Sequence, residues 1–328
     1  MKVLVTGATG LLGRHLVDVL IAEGVTVRAF ARPSSDVQRL QQLSTGVEIV
    51  RGSWEDGELL RRLVQDVQVI FHLAAYLNTA SPFSSNGGSP LYRRLNVDFT
   101  ARLLEVGEAA GVPRFVFASS SSVYGAEVPV PTPEDAPLAP EGAYARSKAA
   151  AEEVVRAWAA RGGAATILRP ALSYGPGDRH FVPVARSLSR LPLLPLVNGG
   201  ETLLDMVYAG DVAELMWRAA QRDEAGSRTY NAGPGAPTSL KALVAAFRQV
   251  TGRAPHIVPI SAGMVLRLSH LVAPLAARLA PGLEATLSPR GVELMCQDIH
   301  LDMRRAAEEL GFRPRFSLEE GLRLTLAS

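Results

Sequence analysis

Cysteine is almost missing: Cys296 is the single one in 328 residues. A disulfide within the chain is therefore excluded, and so is a zinc site built on several cysteines. Excess charge of either sign is missing too. Lys and Arg number 34 against 32 Asp and Glu, a formal balance of +2, which gives no electrostatic reason to expect a nucleic-acid partner. No apolar run reaches the roughly 20 residues that cross a bilayer. The opening Lys2-Val3-Leu4-Val5 is too short for the apolar core of a secretory signal, and no cleavage pattern follows. A cytoplasmic protein is expected. His180, His256, His270 and His300 show no metal-ligand spacing, so no metal is expected. There is no internal repeat.

What is present is an ordinary globular composition, 47% hydrophobic and 20% charged. Residues 2–6, 25–31, 47–51, 68–72, 114–118 and 164–168 read as short apolar strands. Helical spacing lies between them, clearest over 11–23 and 101–110. Strands alternating with helices at this spacing predict an α/β fold, a Rossmann-type doubly wound parallel sheet joined by right-handed crossovers. After Pro170 prolines become frequent and the helical patterns shorten. The expected division is a dinucleotide-binding domain over 1–170 and a smaller, mostly helical substrate lobe over 171–328, with parts of about 204–221 returning to the main sheet. Residues 81–90, rich in Ser, Gly and Pro, read as a mobile loop.

Thr6-Gly7-Ala8-Thr9-Gly10-Leu11-Leu12-Gly13 follows the first strand and opens the first helix. Glycines there permit a tight turn and a close approach of backbone to a pyrophosphate. The helix start then offers unpaired N–H groups and partial positive charge to the anion. The end of the second strand, Arg28-Ala29-Phe30-Ala31-Arg32, carries no acid for the ribose hydroxyls of NAD. Arg32 instead suits the extra phosphate of NADP, with Arg14 able to assist. NADP(H) is favoured and NAD(H) remains open; the bland alternative for Arg32 is a solvated loop charge.

Tyr144-Ala145-Arg146-Ser147-Lys148 begins a helix, so Tyr144 and Lys148, four apart, share a face. The ammonium is expected to lower the tyrosine pKa and make Tyr144 usable in proton transfer. The fifth strand ends in Ser119-Ser120-Ser121-Ser122-Val123-Tyr124-Gly125. A parallel strand delivers that end to the ligand crevice, where a hydroxyl can polarise a substrate carbonyl.

With these segments the chain resembles the extended short-chain dehydrogenases/reductases, the NAD-dependent epimerase/dehydratase type. Further markers are Phe71-His72-Leu73-Ala74-Ala75, Leu168-Arg169-Pro170 and Tyr174-Gly175-Pro176-Gly177-Asp178. The resemblance covers nearly the whole chain. It implies Ser120, Tyr144 and Lys148 as the catalytic group, with Ser121 and Ser122 as lesser candidates for the serine. It also implies that Ser119 and Leu73, Ala74 and Ala75 lie along the cofactor, that Lys148 and Tyr144 reach it, and that Pro170 and Leu172 lie near the nicotinamide. Such proteins usually carry an acid after the glycine that follows the third strand. Here Ser53 follows Gly52, which leaves the adenine amine to Ser53, to the Trp54 backbone or to water. His72 is expected to be structural, as is Asn96. Helix capping accounts for Asp205 and Asp211.

Within this family the sugar-nucleotide branch holds a diphosphate with arginines. Where one is expected, Thr202-Leu203-Leu204-Asp205 carries leucine, although Arg290 keeps such a contact open. Residues 257–287 are unusually apolar, broken by Pro274 and Pro281, and read either as a lid for a hydrophobic substrate, with weak contact to a membrane surface, or as ordinary core. The closest likeness is to the hydroxysteroid-dehydrogenase-like and dihydroflavonol-reductase-like branch. That implies hydride transfer between NADP(H) and a hydrophobic ketone or secondary alcohol. A redox-neutral epimerase or dehydratase with tightly bound NAD, and a non-catalytic NADP sensor, are the alternatives. A homodimer through the alanine-rich helices at 101–110 and 149–160 follows from the resemblance alone.

Overall fold

The computed structural model describes residues 1–43, 46–77, 90–179, 190–222, 226–267 and 296–327, with the single positions 181, 186 and 293. All of the expected loop at 81–90 but Pro90, most of the apolar run at 257–287, His180, His270 and Arg290 lie outside the described residues.

Seven strands form one parallel sheet in the order β10-β6-β5-β4-β1-β2-β3. Its members are β1 (Lys2–Thr6), β2 (Thr26–Ala31), β3 (Val47–Arg51), β4 (Val69–His72), β5 (Arg114–Ala118), β6 (Ala164–Pro170) and β10 (Gly226–Ala232). All strands run the same way, but the order of the chain switches between β1 and β4, and a ligand crevice opens at the strand ends there. The central strands are buried on both faces. Val3 and Val5 of β1 belong to one core and Leu4 to the other; Val116 and Phe117 of β5 divide in the same way. That alternation is the two-residue strand period feeding two helical layers.

One layer holds α1 (Leu11–Ala22) packed on the helix Ala209–Ala220. The other holds α3 (Gly57–Leu63), α5 (Phe99–Ala109) and α6 (Gly142–Ala159). The short α2 (Gln38–Gln42) lies after β2, and α4 (Pro90–Tyr92) runs through a wider-wound turn, Arg93–Asp98, into α5. Beyond β6 the short strands β7 (Leu172–Tyr174) and β9 (Met206–Tyr208) pair with each other, as do β8 (Leu193–Val197) and β11 (His256–Ile260). No helix among the described residues is long and apolar enough to cross a membrane.

Three features differ from the sequence reading. The seventh strand, β10, was not expected. It is an edge strand that begins with the outward-facing Ser227 and Arg228, so it lacks the apolar run that reveals a central strand. β6 runs two residues further, to Pro170, whose missing N–H costs nothing at a strand end. Asp205 and Asp211 cap no helix. Asp205 accepts from the Leu301 amide at 2.8 Å and contacts His300 Nδ1 at 3.0 Å. Asp211 accepts from the amides of Arg315 and Phe316 at 3.0 and 3.3 Å. Both carboxylates staple the C-terminal segment to the body of the protein, an arrangement that separations of about a hundred residues conceal in the sequence.

Candidate active site

The glycine loop owes its shape to close backbone packing. Gly7 has φ +73°, and a Cβ there would stand 2.7 Å from the Ala74 nitrogen. A Cβ on Gly13 would meet the Gly7 carbonyl at 2.1 Å. The loop therefore lies flat against the end of β4. Gly10 begins α1 with no side-chain cap and no acid in the first turn, so the amides of Leu11, Leu12 and Gly13 are turned to an anion site.

A groove of about 450 Å³ runs from this loop across the strand ends. Gly7, Thr9 and Gly10 line one part, Leu73, Ala74 and Ala75 another, and Arg32, Ser53 and Trp54 the far end. Trp54 packs on Phe99 with ring centroids 5.4 Å apart, and Phe30 joins them along the wall. The Ser53 hydroxyl accepts from the Glu55 amide at 3.2 Å, which occupies one of its lone pairs in turning the chain. A flat aromatic-walled end, a glycine cradle and a helix N-terminus in sequence match the parts of an adenine dinucleotide. On α1, Arg14 has a buried Nε without a hydrogen-bond partner. Burial, with Arg39 and Arg179 close by, lowers its pKa, as expected where cations gather for an anion. Asp18 and Asp36 are the acids facing this cluster.

The middle of the groove is held by one polar chain. The Ala74 amide donates to Thr6 Oγ1 at 3.2 Å, Thr6 Oγ1 meets His72 Nδ1 at 2.7 Å, and His72 Nε2 meets Thr100 Oγ1 at 2.9 Å. Thr100 in turn donates to the Asn96 carbonyl at 2.7 Å. With that last donor assigned, His72 carries its proton on Nε2. Burial, aided by the charge of Lys148, pushes His72 down to about 3, so it stays neutral and structural. Asn96 accepts from the Tyr76 amide at 2.6 Å and donates to Ser147 Oγ at 2.8 Å. Ser147 donates to the Tyr144 carbonyl at 2.7 Å. Asn96 thus ties the groove wall to the first turn of α6. The sequence marked this residue only as an ordering one; its reach to Ser147, 51 positions on, needs the fold.

Ser119, Ser120, Tyr144 and Lys148 gather at the ends of β5 and α6, with Pro170 buried at the end of β6. Leu172, two residues on, is 46% exposed. Ser120 Oγ accepts from the amide and the hydroxyl of Ser122 at 3.2 and 2.9 Å, leaving its own proton to donate. Tyr144 lies within hydrogen-bonding reach of Ser120 and edge-on to Tyr92, centroids 6.5 Å apart. Lys148 is fully buried, its ammonium 4.2 Å above the centre of the Phe117 ring.

The expected lowering of the tyrosine pKa is not what this arrangement produces. Burial pushes Tyr144 up to about 12, against a smaller opposing effect of Ser120. Burial also pushes Lys148 down to about 7, with Glu152 opposing. The Lys148 ammonium lies over the Phe117 ring, and burial of the phenol is the largest influence on Tyr144.

Beside Ser120 a second cavity of about 350 Å³ opens. Ser121, Ser122 and Glu141 form the side towards Ser120, and Leu203, Leu204, Leu240, Ile299 and Leu301 much of the rest. The leucines that stand where a diphosphate arginine was expected are thus cavity wall. The segment at 297–301 belongs to no motif, and its pairing with residues 203–205 and with Thr132 brings it here.

A family model described as the NAD dependent epimerase/dehydratase family matches residues 3–233. The chain is 28% identical to the 4-hydroxy-2-methyl-3-oxo-4-farnesyl-3,4-dihydroquinoline-1-oxide ketoreductase of Stigmatella aurantiaca, over 98% of this chain and 95% of that one. It is 30% identical to the 2-alkyl-3-oxoalkanoate reductase of Stenotrophomonas maltophilia (strain K279a), over 100% and 99%. Among solved structures, MoeE5 in complex with UDP-glucuronic acid and NAD superposes with a TM-score of 0.76 at 31% identity, covering 100% of this chain and 98% of that one. The glycine cradle, the seven-stranded sheet and these likenesses agree: the chain is a member of the NAD-dependent epimerase/dehydratase family, NAD(P)-dependent enzymes of the extended short-chain dehydrogenase/reductase type.

Proposed function

We propose that the protein reduces a hydrophobic ketone to a secondary alcohol at the expense of NADPH, with Ser120, Tyr144 and Lys148 as its catalytic group. The observation that carries this reading is the apolar cavity beside Ser120, which has no Lys or Arg among its described lining residues. A sugar nucleotide brings a diphosphate, and an unpaired diphosphate in a low-dielectric cavity is strongly disfavoured. Two relatives named as ketone or oxoalkanoate reductases support the same reading.

A dinucleotide held in the groove of Gly7, Thr9 and Gly10 would supply hydride for the carbonyl carbon. Ser120, already accepting two hydrogen bonds from Ser122, donates a hydrogen bond to the carbonyl oxygen, keeping its proton, and favours the charge that develops there. Tyr144, a neutral phenol at physiological pH, gives that oxygen its proton. Lys148 holds the ribose and returns charge to the site as it protonates. Ser119, Leu73, Ala74, Ala75, Pro170 and Leu172 flank the cofactor, with Ser53 and Trp54 at its adenine end. Arg32, with Arg14 beside the same loop, reads the phosphate that distinguishes NADP from NAD.

The test follows nicotinamide absorbance with purified protein, NADPH or NADH, and a panel of hydrophobic ketones. Oxidation that prefers NADPH is the expected result. Arg32→Ala should cut the NADPH preference by about 10- to 100-fold, the range of one lost charge-assisted hydrogen bond. An unchanged preference would remove Arg32 from this role. A redox-neutral conversion of sugar nucleotides is the second reading, favoured by the likeness to MoeE5, whose solved complex holds UDP-glucuronic acid and NAD. It predicts no net absorbance change with any ketone, and epimerised or dehydrated sugar nucleotide instead.

A further inference from the structure

Lys148 is one of three lysines in the chain, with Lys2 and Lys241, and it is 1% exposed. A buried ammonium needs something to offset its lost hydration. The acid whose charge reaches it is Glu152, one helical turn on. That carboxylate is already engaged: Oε1 accepts from Arg169 at 2.9 Å, and Oε2 accepts from Arg169 and Arg156 at 2.7 and 2.8 Å. Two guanidiniums therefore take up most of its field before the ammonium feels it. His72 is neutral, for burial pushes it down to about 3, and Tyr144 is a neutral phenol. What meets the ammonium is a ring. Lys148 Nζ stands over Phe117, 4.2 Å from the ring centre, inside the roughly 6 Å at which the negative face of an aromatic ring attracts a cation. The ring cannot turn aside. Phe117 is fully buried on β5, and its register partner on β4 is His72. The two rings stack with centroids 5.9 Å apart, and Thr6 and Thr100 pin His72 at both nitrogens.

We propose that Phe117 is a positioning residue of the active site: the face of its ring holds the Lys148 ammonium in place and in its charged form, a task that the engaged Glu152 cannot perform. The inference rests on the proposed role of Lys148 at the cofactor for its consequence, though not for the contact itself. A carboxylate beside Lys148 would take up the donors of the ammonium as well as its charge. A ring attracts the charge and leaves the N–H groups to the ribose hydroxyls. Phe117 shares a core with Ala151 and Val155 of α6, so the strand period brings its ring under the helix that carries Lys148. The sequence hides this role, because an apolar residue inside a strand has the pattern of plain core.

The experiment follows Lys148 itself, by NMR of the full chain isotopically labelled at the lysine ε-carbons. Each lysine gives its own signal, and that of Lys148 is assigned by its loss in Lys148→Arg. Its ε-protons are expected upfield of those of Lys2 and Lys241, because an aromatic face shields the nuclei above it. The signal should titrate near pH 7, the value of about 7 to which burial pushes the group. Phe117 is then replaced by mono-, tri- and pentafluorophenylalanine, which keep the ring and progressively drain its face of negative charge. The Lys148 midpoint is expected to fall stepwise, by about one pH unit over the series. Affinity for NADPH at neutral pH, read by its fluorescence, should fall in the same order, by about fivefold, as the charged fraction of Lys148 drops. Melting is followed beside it; the monofluoro ring, nearly the shape of the native one, keeps the series readable where a heavier substitution unfolds the protein. A midpoint that ignores fluorination, or ε-protons at the positions of an exposed lysine, overturns the proposal. A midpoint that falls while NADPH affinity holds upholds the contact and overturns the ribose role of Lys148 instead.

Discussion

Tyr144→Phe is expected to lower kcat for ketone reduction by about a thousandfold, the middle of the range for a lost general acid. The ring packs edge-on to Tyr92, so the variant keeps its shape and loses one hydroxyl. NADPH binding should stay within about twofold, and melting should be unchanged to within about 0.5 kcal/mol. A variant that keeps more than about a tenth of the wild-type rate would show that another group delivers the proton. The pH dependence has a definite sign. A phenol pushed up to about 12 is a competent donor throughout pH 5–9, so this group imposes no acidic or basic limb on reduction there. Alcohol oxidation needs the phenolate, whose fraction at pH 8 is only about 10⁻⁴, and it should climb nearly tenfold per pH unit. Lys148 acts in the other direction. With its pKa pushed down to about 7, its charge fades as pH rises through that value. The kcat/KM for NADPH, which reports groups of the free enzyme, should fall there, and Lys148→Ala should flatten that limb.

Glu152→Ala should cost about 3–5 kcal/mol of stability, the usual loss when one partner of a buried ion pair is removed. Glu152 is fully buried on α6 and receives Nε and one terminal nitrogen of Arg169 at 2.9 and 2.7 Å. Arg169 donates as well to the Glu134 carbonyl at 2.9 Å and lies 4.6 Å from the centre of the Tyr124 ring. Tyr124 donates to Asn231 at 2.6 Å, and Asn231 holds the carbonyls of Thr132 and Asp302. One buried pair thus joins α6, β6, β10 and the segment at 132–134, directly behind the serine turn. Burial alone would raise the Glu152 pKa, but the Arg169 hydrogen bonds and charge outweigh it and hold it below 4.5. Its stabilising effect is therefore complete above about pH 4.5 and lost as pH falls through the lower folded value. Thermal melting of Glu152→Ala should show a drop of roughly 5–10 °C. Glu152→Leu together with Arg169→Met should recover most of it, because no unpaired charge is then left buried. Melting of Glu152→Ala at the wild-type temperature would refute the role of this pair.

The cofactor half of the protein was legible in the residues themselves. β1, the glycine loop and α1 are contiguous, and their period, their glycines and their order carry their meaning locally. The same holds for the spacing of Tyr144 and Lys148, one helical turn apart. What escaped the sequence lies where distant segments meet. β10 is an edge strand without an apolar run. Asp205 and Asp211 resemble helix caps until their partners near residues 301 and 315 are seen. The neighbouring charges of Tyr144 and Lys148 are evident in order, yet their pKa values follow from burial, which only packing sets. So the sequence by itself determined the family, six of the sheet's seven strands and the candidates for hydride-transfer chemistry, because these rest on short-range backbone geometry. The tertiary structure decided the cavity beside Ser120, since Ser122, Leu203 and Gln297 become neighbours only when the C-terminal segment folds back against the sheet.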